Sequence, residues 1–338
     1  MFYALALVLC LAVLFIVLAG SSVLCALGLI TGKRFLRFLS PGAHANLLFT
    51  VRALPIFLAC LVTLGFVLPA FLRFEPRSSH EIMGLRLLTL GGLGALVAAG
   101  MAMRSWRIIR TTHRAQKQWR SHSERLQVKG VDLPVYCAAG PSPLLAVTGV
   151  FRPRIFIART VMEKLSSGEL FAAIAHELAH VSALDNLKQL ILKTTEPPQW
   201  LGLLSKSDAV WLKASEMAAD EGALTRGASA LDLSSALVKV AGISRQGPAS
   251  DMIAASHLLP VTGLPMKELL MKEQSCLEMR ADHLRELLEG ERQGQMRRRH
   301  GHRNYWPIFS LTLLVLGYAI CLNAALPWTH EILELLVR

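Results

Sequence analysis

The run FAAIAHELAHVSALDN sets His176 and His180 four residues apart with Glu177 between them. Residues four apart on a helix project from one face. Two imidazoles at that spacing suit two ligands of one tetrahedral zinc ion, and the glutamate beside them can take a proton from a water that such a metal activates. The same helix is apolar on nearly every other side, through Phe171, Ile174, Leu178 and Val181, so it should be buried. Three ionisable groups buried without partners are costly, and one Zn2+ per chain removes that cost by giving each of them a role.

A catalytic zinc needs a third protein ligand and an open coordination position. The metzincin pattern would put a third histidine at position 186, but Asn186 stands there, and Ala183 occupies that pattern's glycine position. Downstream, KASEMAADEGAL sets Glu216 and Asp220 one turn apart on an alanine-rich helix. Taken alone they would be ordinary surface acids. Behind an upstream HExxH, Glu216 reads as the third ligand and Asp220 as a carboxylate that orients a ligand histidine, which is the gluzincin arrangement. Asp185, five residues after His180, either supports the site or ends the helix. Nothing excludes His257 or His283 from stabilising an oxyanion, though surface or packed histidines are the plainer reading. The six cysteines show no CxxC spacing, so neither a disulfide framework nor a thiolate ligand is expected.

The elements that position these residues begin in lipid. Apolar residues make up 53% of the chain and charged residues only 18%, less charge than soluble domains carry. Four stretches are long enough to span a bilayer as helix: Phe2–Ile30, Leu54–Leu72, Leu87–Met103 and Trp306–Leu326. In the third, Gly91, Ala95 and Ala99 recur every four residues, a spacing that lets helices approach closely. Basic residues at Lys33, Arg34 and Arg37, from Arg104 to Arg120, and from Arg297 to Arg303 flank the spans. By the positive-inside bias they place the first connection and the long central segment in the cytoplasm, with both termini external. Flanking charge of this kind also accounts for the net charge of +12, so no direct nucleic-acid binding is expected.

The domain plan is then three membrane helices over 1–103, a cytoplasmic zinc metallopeptidase domain over 104–304, and a fourth membrane helix with a short external tail over 305–338. The central domain opens with a basic linker helix over 104–129. Short β-prone segments follow at Leu133–Ala138, Leu145–Thr148 and Arg154–Ala158. Ser166 and Glu169 form a capping box that opens the HExxH helix, which runs to about Ser182. Pro197 and Pro198 break the chain, and helices are expected near Asp208–Leu224, Ser229–Val240 and Met266–Leu288. The fold class is α+β: membrane-embedded helices joined to a mainly helical gluzincin-type peptidase domain carrying a small β-sheet.

With these residues in view, the chain resembles the BlaR/MecR-type membrane metallopeptidases, the signal transducers of the β-lactam response. The likeness lies in the span arrangement and in SPLLAVTGVFRPRIFIA, AHELAHVSALDN and EMAADEGAL. Each motif is shared with HtpX-type and CAAX-prenyl proteases. The resemblance implies that His176, His180 and Glu216 bind zinc and that Glu177 is the general base. It also implies a bacterial cytoplasmic membrane and a cytoplasmic or membrane-proximal protein substrate, such as a transcriptional repressor. In the antibiotic sensors a penicillin-binding domain follows the fourth span. Here the sequence reaches Arg338 shortly after it, so any stimulus is expected through the membrane helices, the outer loop or a membrane sensor partner. The strand residues Arg154, Ile155, Phe156 and Ile157 are expected to align an extended substrate by backbone pairing. An HtpX-like quality-control protease and a non-enzymatic membrane scaffold with a structural zinc site are the alternatives.

Overall fold

The computed structural model describes residues 2–36, 39–76, 84–128, 130–139, 144–195, 205–246, 266–292, 326–329 and 331–332. The chain divides into two compact units. Met1–Arg34, Thr50–Met103 and Arg298–Arg338 make the first, and Phe35–Phe49 with Arg104–Arg297 make the second.

Three helical stretches among the described residues are long and apolar enough to cross a membrane. The first is α1 (Phe2–Leu36). The second begins with α2 (Pro41–Val62) and passes through a π-helical turn at Thr63–Val67 into α3 (Leu68–Phe74). It therefore starts well before Leu54, because the polar residues ahead of the apolar run are still helix-compatible. The third is α4 (Leu85–Ser121), which carries both the expected span and the basic segment. No proline or glycine interrupts the chain from Met101 to Ser121, so the linker expected over 104–129 is a continuation of this helix and stops at Ser121. Within the first unit, Leu5, Leu9, Val67, Phe71 and Leu87 form a buried cluster. A Cβ at Gly91 would lie 2.6 Å from Val8 Cγ1, and one at Gly94 would meet the Leu11 carbonyl. The close approach of α1 thus uses Gly91 from the expected stripe together with Gly94 from outside it. Of the expected fourth span, only Leu326 is among the described residues, and Arg297 to Arg303 lie outside them.

The second unit is built on a four-stranded sheet of order β1-β2-β4-β3. Its strands are β1 (Ser123–Leu126), β2 (Val135–Ala138), β3 (Leu145–Thr148) and β4 (Arg154–Ala158). β1 lies in the segment expected to be helical. β4 pairs parallel with β2 and antiparallel with β3, so both of its edges are used. The helices are α5 (Arg159–Lys164), α6 (Ser167–Ser182), α7 (Asp185–Thr194), α8 (Ser205–Thr225), α9 (Ala230–Gln246) and α10 (Met266–Arg292). Two clusters meet on α6. Ile155, Ile157, Val161 and Leu165 cover one side of it, and Ala172, Ala175, Ala223 and Leu284 fill the other. Leu184, at φ 57°, breaks α6 from α7. That break turns the chain directly after the second histidine, and the sequence did not indicate the helix that follows it.

Candidate metal centre

α6 is fixed at its start before it carries any chemistry. Ser166 Oγ accepts from Glu169 N at 3.3 Å and Glu169 Oε2 accepts from Ser166 N at 2.7 Å, closing the capping box. The Glu169 carboxylate also accepts from Lys239 Nζ at 2.7 Å and from the Ser235 hydroxyl, which ties α6 to α9. These bonds hold it well below the usual carboxylate range, to about 2; the Lys239 hydrogen bond is the largest cause, followed by Ser235 and the Ser166 backbone. Further along, a Cβ at Gly222 on α8 would lie 2.7 Å from Ala179 Cβ on α6. The absence of a side chain at Gly222 therefore lets the helices that carry His176, His180 and Glu216 come this close.

At that distance His176 Nε2 and His180 Nε2 are 3.2 Å apart. Glu216 Oε2 lies 3.4 Å from His176 Nε2 and Glu216 Oε1 3.6 Å from His180 Nε2. Bonds of about 2.0–2.1 Å in a tetrahedron put neighbouring ligand atoms roughly 3.3 Å apart, so the two imidazole nitrogens are spaced for a zinc ion, and Glu216 reaches each of them with a different oxygen. Among the described residues, these three form a group whose ligand atoms all lie within 4.8 Å of one another. None of its members is a cysteine.

Both imidazoles turn their Nδ1 atoms outward onto carboxylates. His176 Nδ1 is 2.9 Å from Asp220 Oδ1, and His180 Nδ1 is 2.7 Å from Asp185 Oδ2. A carboxylate accepting from Nδ1–H directs the Nε2 lone pair inward, as a metal ligand requires. Asp185 is thus drawn to the site as the first residue of α7. Asp220, fully buried, receives two bonds from Arg280 on α10, Nε to Oδ2 at 2.9 Å and Nη2 to Oδ1 at 2.6 Å. Arg280 Nη1 also lies 3.1 Å from Glu216 Oε2. Burial is the largest influence on Asp220 and Glu216 and pushes both up. The surrounding cations outweigh it: Arg280 first for Asp220, His180 first for Glu216, leaving both carboxyls below their ordinary range. For His176, burial and Arg280 push downward, but the bonds to Asp220 and Glu216 prevail and raise it to about 9. A metal held at Nε2 would take the place of that proton.

Glu177 lines the same cavity as His176, His180 and Glu216 and also reaches the sheet. Its Oε2 accepts from Val147 N at 2.9 Å. β3 is one of the two edge strands of the described sheet, and Ala158 N donates to Leu144 O, so the backbone groups of residues 145 and 147 face outward. Asn186 Nδ2 donates to Gly149 O at 3.0 Å and to Val147 O at 3.4 Å, closing the strand's far end. Gly149 itself has φ +101°, and a Cβ there would lie 2.7 Å from Arg152 O. The expected substrate strand is therefore corrected. Arg154, Ile155, Phe156 and Ile157 lie in β4, an interior strand with no free edge, as its unbroken apolar run requires. The free edge beside Glu177 belongs to β3.

A cavity of about 340 Å³ opens here, with Glu177, His180 and Arg280 among its walls. Val147 of β3 and Trp119 of α4 contribute as well. His283 lies 3.6 Å from Glu221 and is not part of these walls, and His257 is outside the described residues. The principal residue missed in sequence is Arg280. Its signal was an arginine set between Cys276 and Leu284 at four-residue spacing, on a stripe that turns inward.

Apolar helices, an HExxH helix and a His–His–Glu triangle beneath an edge strand define a membrane-associated peptidase. The family described as BlaR1 peptidase M56 matches residues 75–257, more than half of the chain, and the chain belongs to that family. No curated protein and no solved structure matches it. The matched segment holds His176, Glu177, His180 and Glu216 but ends before α10 and Arg280.

Proposed function

We propose that the chain is a zinc metalloendopeptidase that cleaves a cytoplasmic or membrane-proximal protein, in signal transduction of the repressor-inactivating kind. The observation that carries this is the His176–His180–Glu216 group, whose ligand atoms all lie within 4.8 Å of one another, with Glu177 next to the histidines on the same helix. Zinc held there lowers the pKa of water and polarises the scissile carbonyl. The chain's own residues do the rest. Asp185 and Asp220 hold the two imidazoles in the tautomer that presents Nε2. Glu177 keeps Oε2 on the Val147 amide, which aims Oε1 as the proton acceptor and then as the donor to the leaving nitrogen. The outward backbone groups of Leu145 offer an extended peptide an edge to pair with. A cytoplasmic catalytic unit is supported by Arg107, Arg110, Arg114, Lys117 and Arg120, all exposed on the half of α4 that follows its apolar stretch.

Glu177→Gln tests the reading. The change is nearly isosteric and leaves the ligand triangle intact, so zinc stoichiometry is expected to stay near one per chain. Loss of the general base is expected to lower proteolysis by roughly 10²–10⁴-fold. Zinc content and cleavage are measured on the same preparations, and undiminished proteolysis by zinc-loaded Glu177→Gln would remove Glu177 from the mechanism. Proteins that persist only in cells carrying the variant identify the substrate.

A further inference from the structure

His180 is supported by a chain of contacts that extends beyond Asp185. While Asp185 Oδ2 faces His180, Asp185 Oδ1 lies 3.7 Å from Lys188 Nζ. The Lys188 side chain is 16% exposed, so most of its stem is covered while its bond to Asn46 lies at the surface. Its other partners come from α2: it donates to Asn46 Oδ1 at 2.8 Å and lies 5.8 Å from the centre of the Phe49 ring. Asn46 and Phe49 are three residues apart on one face of α2. The same two turns include Gly42, where a Cβ would lie 3.9 Å from Ala218 Cβ on α8, midway between Glu216 and Asp220. These turns belong to the catalytic unit, although the helix they open continues as the second apolar stretch.

We propose that Lys188, seated by Asn46 and Phe49 of α2, is a positioning residue for the metal centre. The ammonium holds the Asp185 carboxylate in the orientation that presents His180 Nε2 to the metal. A polar seat explains why a cation is kept at a mostly buried position, since a buried charge persists only when paired and hydrogen-bonded. The first turns of α2 are then part of the site's support, and displacing them loosens His180. This rests on the zinc reading above.

The test uses the full-length protein in detergent and reads zinc affinity by competition with a chelator, independently of proteolysis. Lys188→Met is expected to weaken zinc binding about 10-fold, the lower end of what residues behind a metal ligand are worth. Asn46→Leu should act in the same direction by a smaller factor, while Lys188→Arg and Asn46→Asp, which keep the cation and the acceptor, should stay near wild type. Cleavage lost in Lys188→Met should return when zinc is saturating, which a merely misfolded variant would not allow. Wild-type affinity in both Lys188→Met and Asn46→Leu overturns this inference and leaves the peptidase reading standing. Wild-type protein that takes up no zinc overturns both.

Discussion

The two histidines of α6 are one helical turn apart, yet different parts of the molecule hold them. Behind His176 stand Asp220 and Arg280, brought from α8 and α10 and almost wholly out of water. Behind His180 stand Asp185 and Lys188 on the helix that follows directly, both partly open to solvent. The first flank is a charge cluster assembled from distant sequence, and the second is mostly local. The comparison teaches that one candidate metal centre can be supported by two kinds of contact, one also bearing on the fold and the other chiefly on the orientation of an imidazole.

Removing one partner of the buried cluster is the strongest way to break this comparison. Arg280→Met takes the guanidinium away from the buried Asp220 and Glu216 carboxylates. Stranding a buried charge costs about 3–5 kcal/mol, so chemical denaturation of the metal-free variant should show a loss of that order. An unchanged denaturation midpoint would mean that this flank does not support the fold.

The matching change on the other flank is Asp185→Asn, which keeps the shape but not the charge that faces His180 and Lys188. Zinc affinity is expected to drop by about 10–100-fold. The metal-free protein should denature close to wild type, because both partners of Asp185 can still reach water. A large loss of stability here would erase the difference between the flanks.

The N-terminal end of α6 supplies the smallest effect and a control belonging to neither flank. Glu169 titrates near 2 in the folded protein, against about 4.3 for a free glutamate. A lowered folded value means that its carboxylate stabilises the fold fully above the unfolded value and loses that contribution as pH falls toward 2. Glu169→Gln should therefore be less stable than wild type near neutral pH, and thermal unfolding should show the gap closing between about pH 5 and pH 2. A gap that widened on acidification would contradict the bonding around Ser166, Ser235 and Lys239.

Legibility followed the range of the interactions. The capping box, the HExxH helix and the first three apolar stretches depend on residues within a few positions of one another, and each lies within a helix that the structure describes. β1 was hidden because SERL carries no apolar alternation, and its pairing with β2 decides its conformation. α7 was hidden because Asp185 and Asn186 read equally well as a helix end, and only the Leu184 turn shows that a new helix begins there. β4 was recognised as a strand but given the wrong task, since an apolar run does not say on which edges it is paired.

The sequence by itself determined which residue types can do this chemistry and which helix carries most of them. Four-residue spacing on a helix needs no knowledge of the rest of the chain. Tertiary structure alone decided how they meet. A Cβ at Gly222 would lie 2.7 Å from Ala179 Cβ, so the bare glycine lets Glu216 reach the histidine pair, and β3 rather than β4 lies at an edge of the sheet. Arg280 crosses from α10 to neutralise two carboxylates whose numbers lie 60 or more below its own. Distances of that kind depend on how separate helices pack, and no local pattern of residues encodes them.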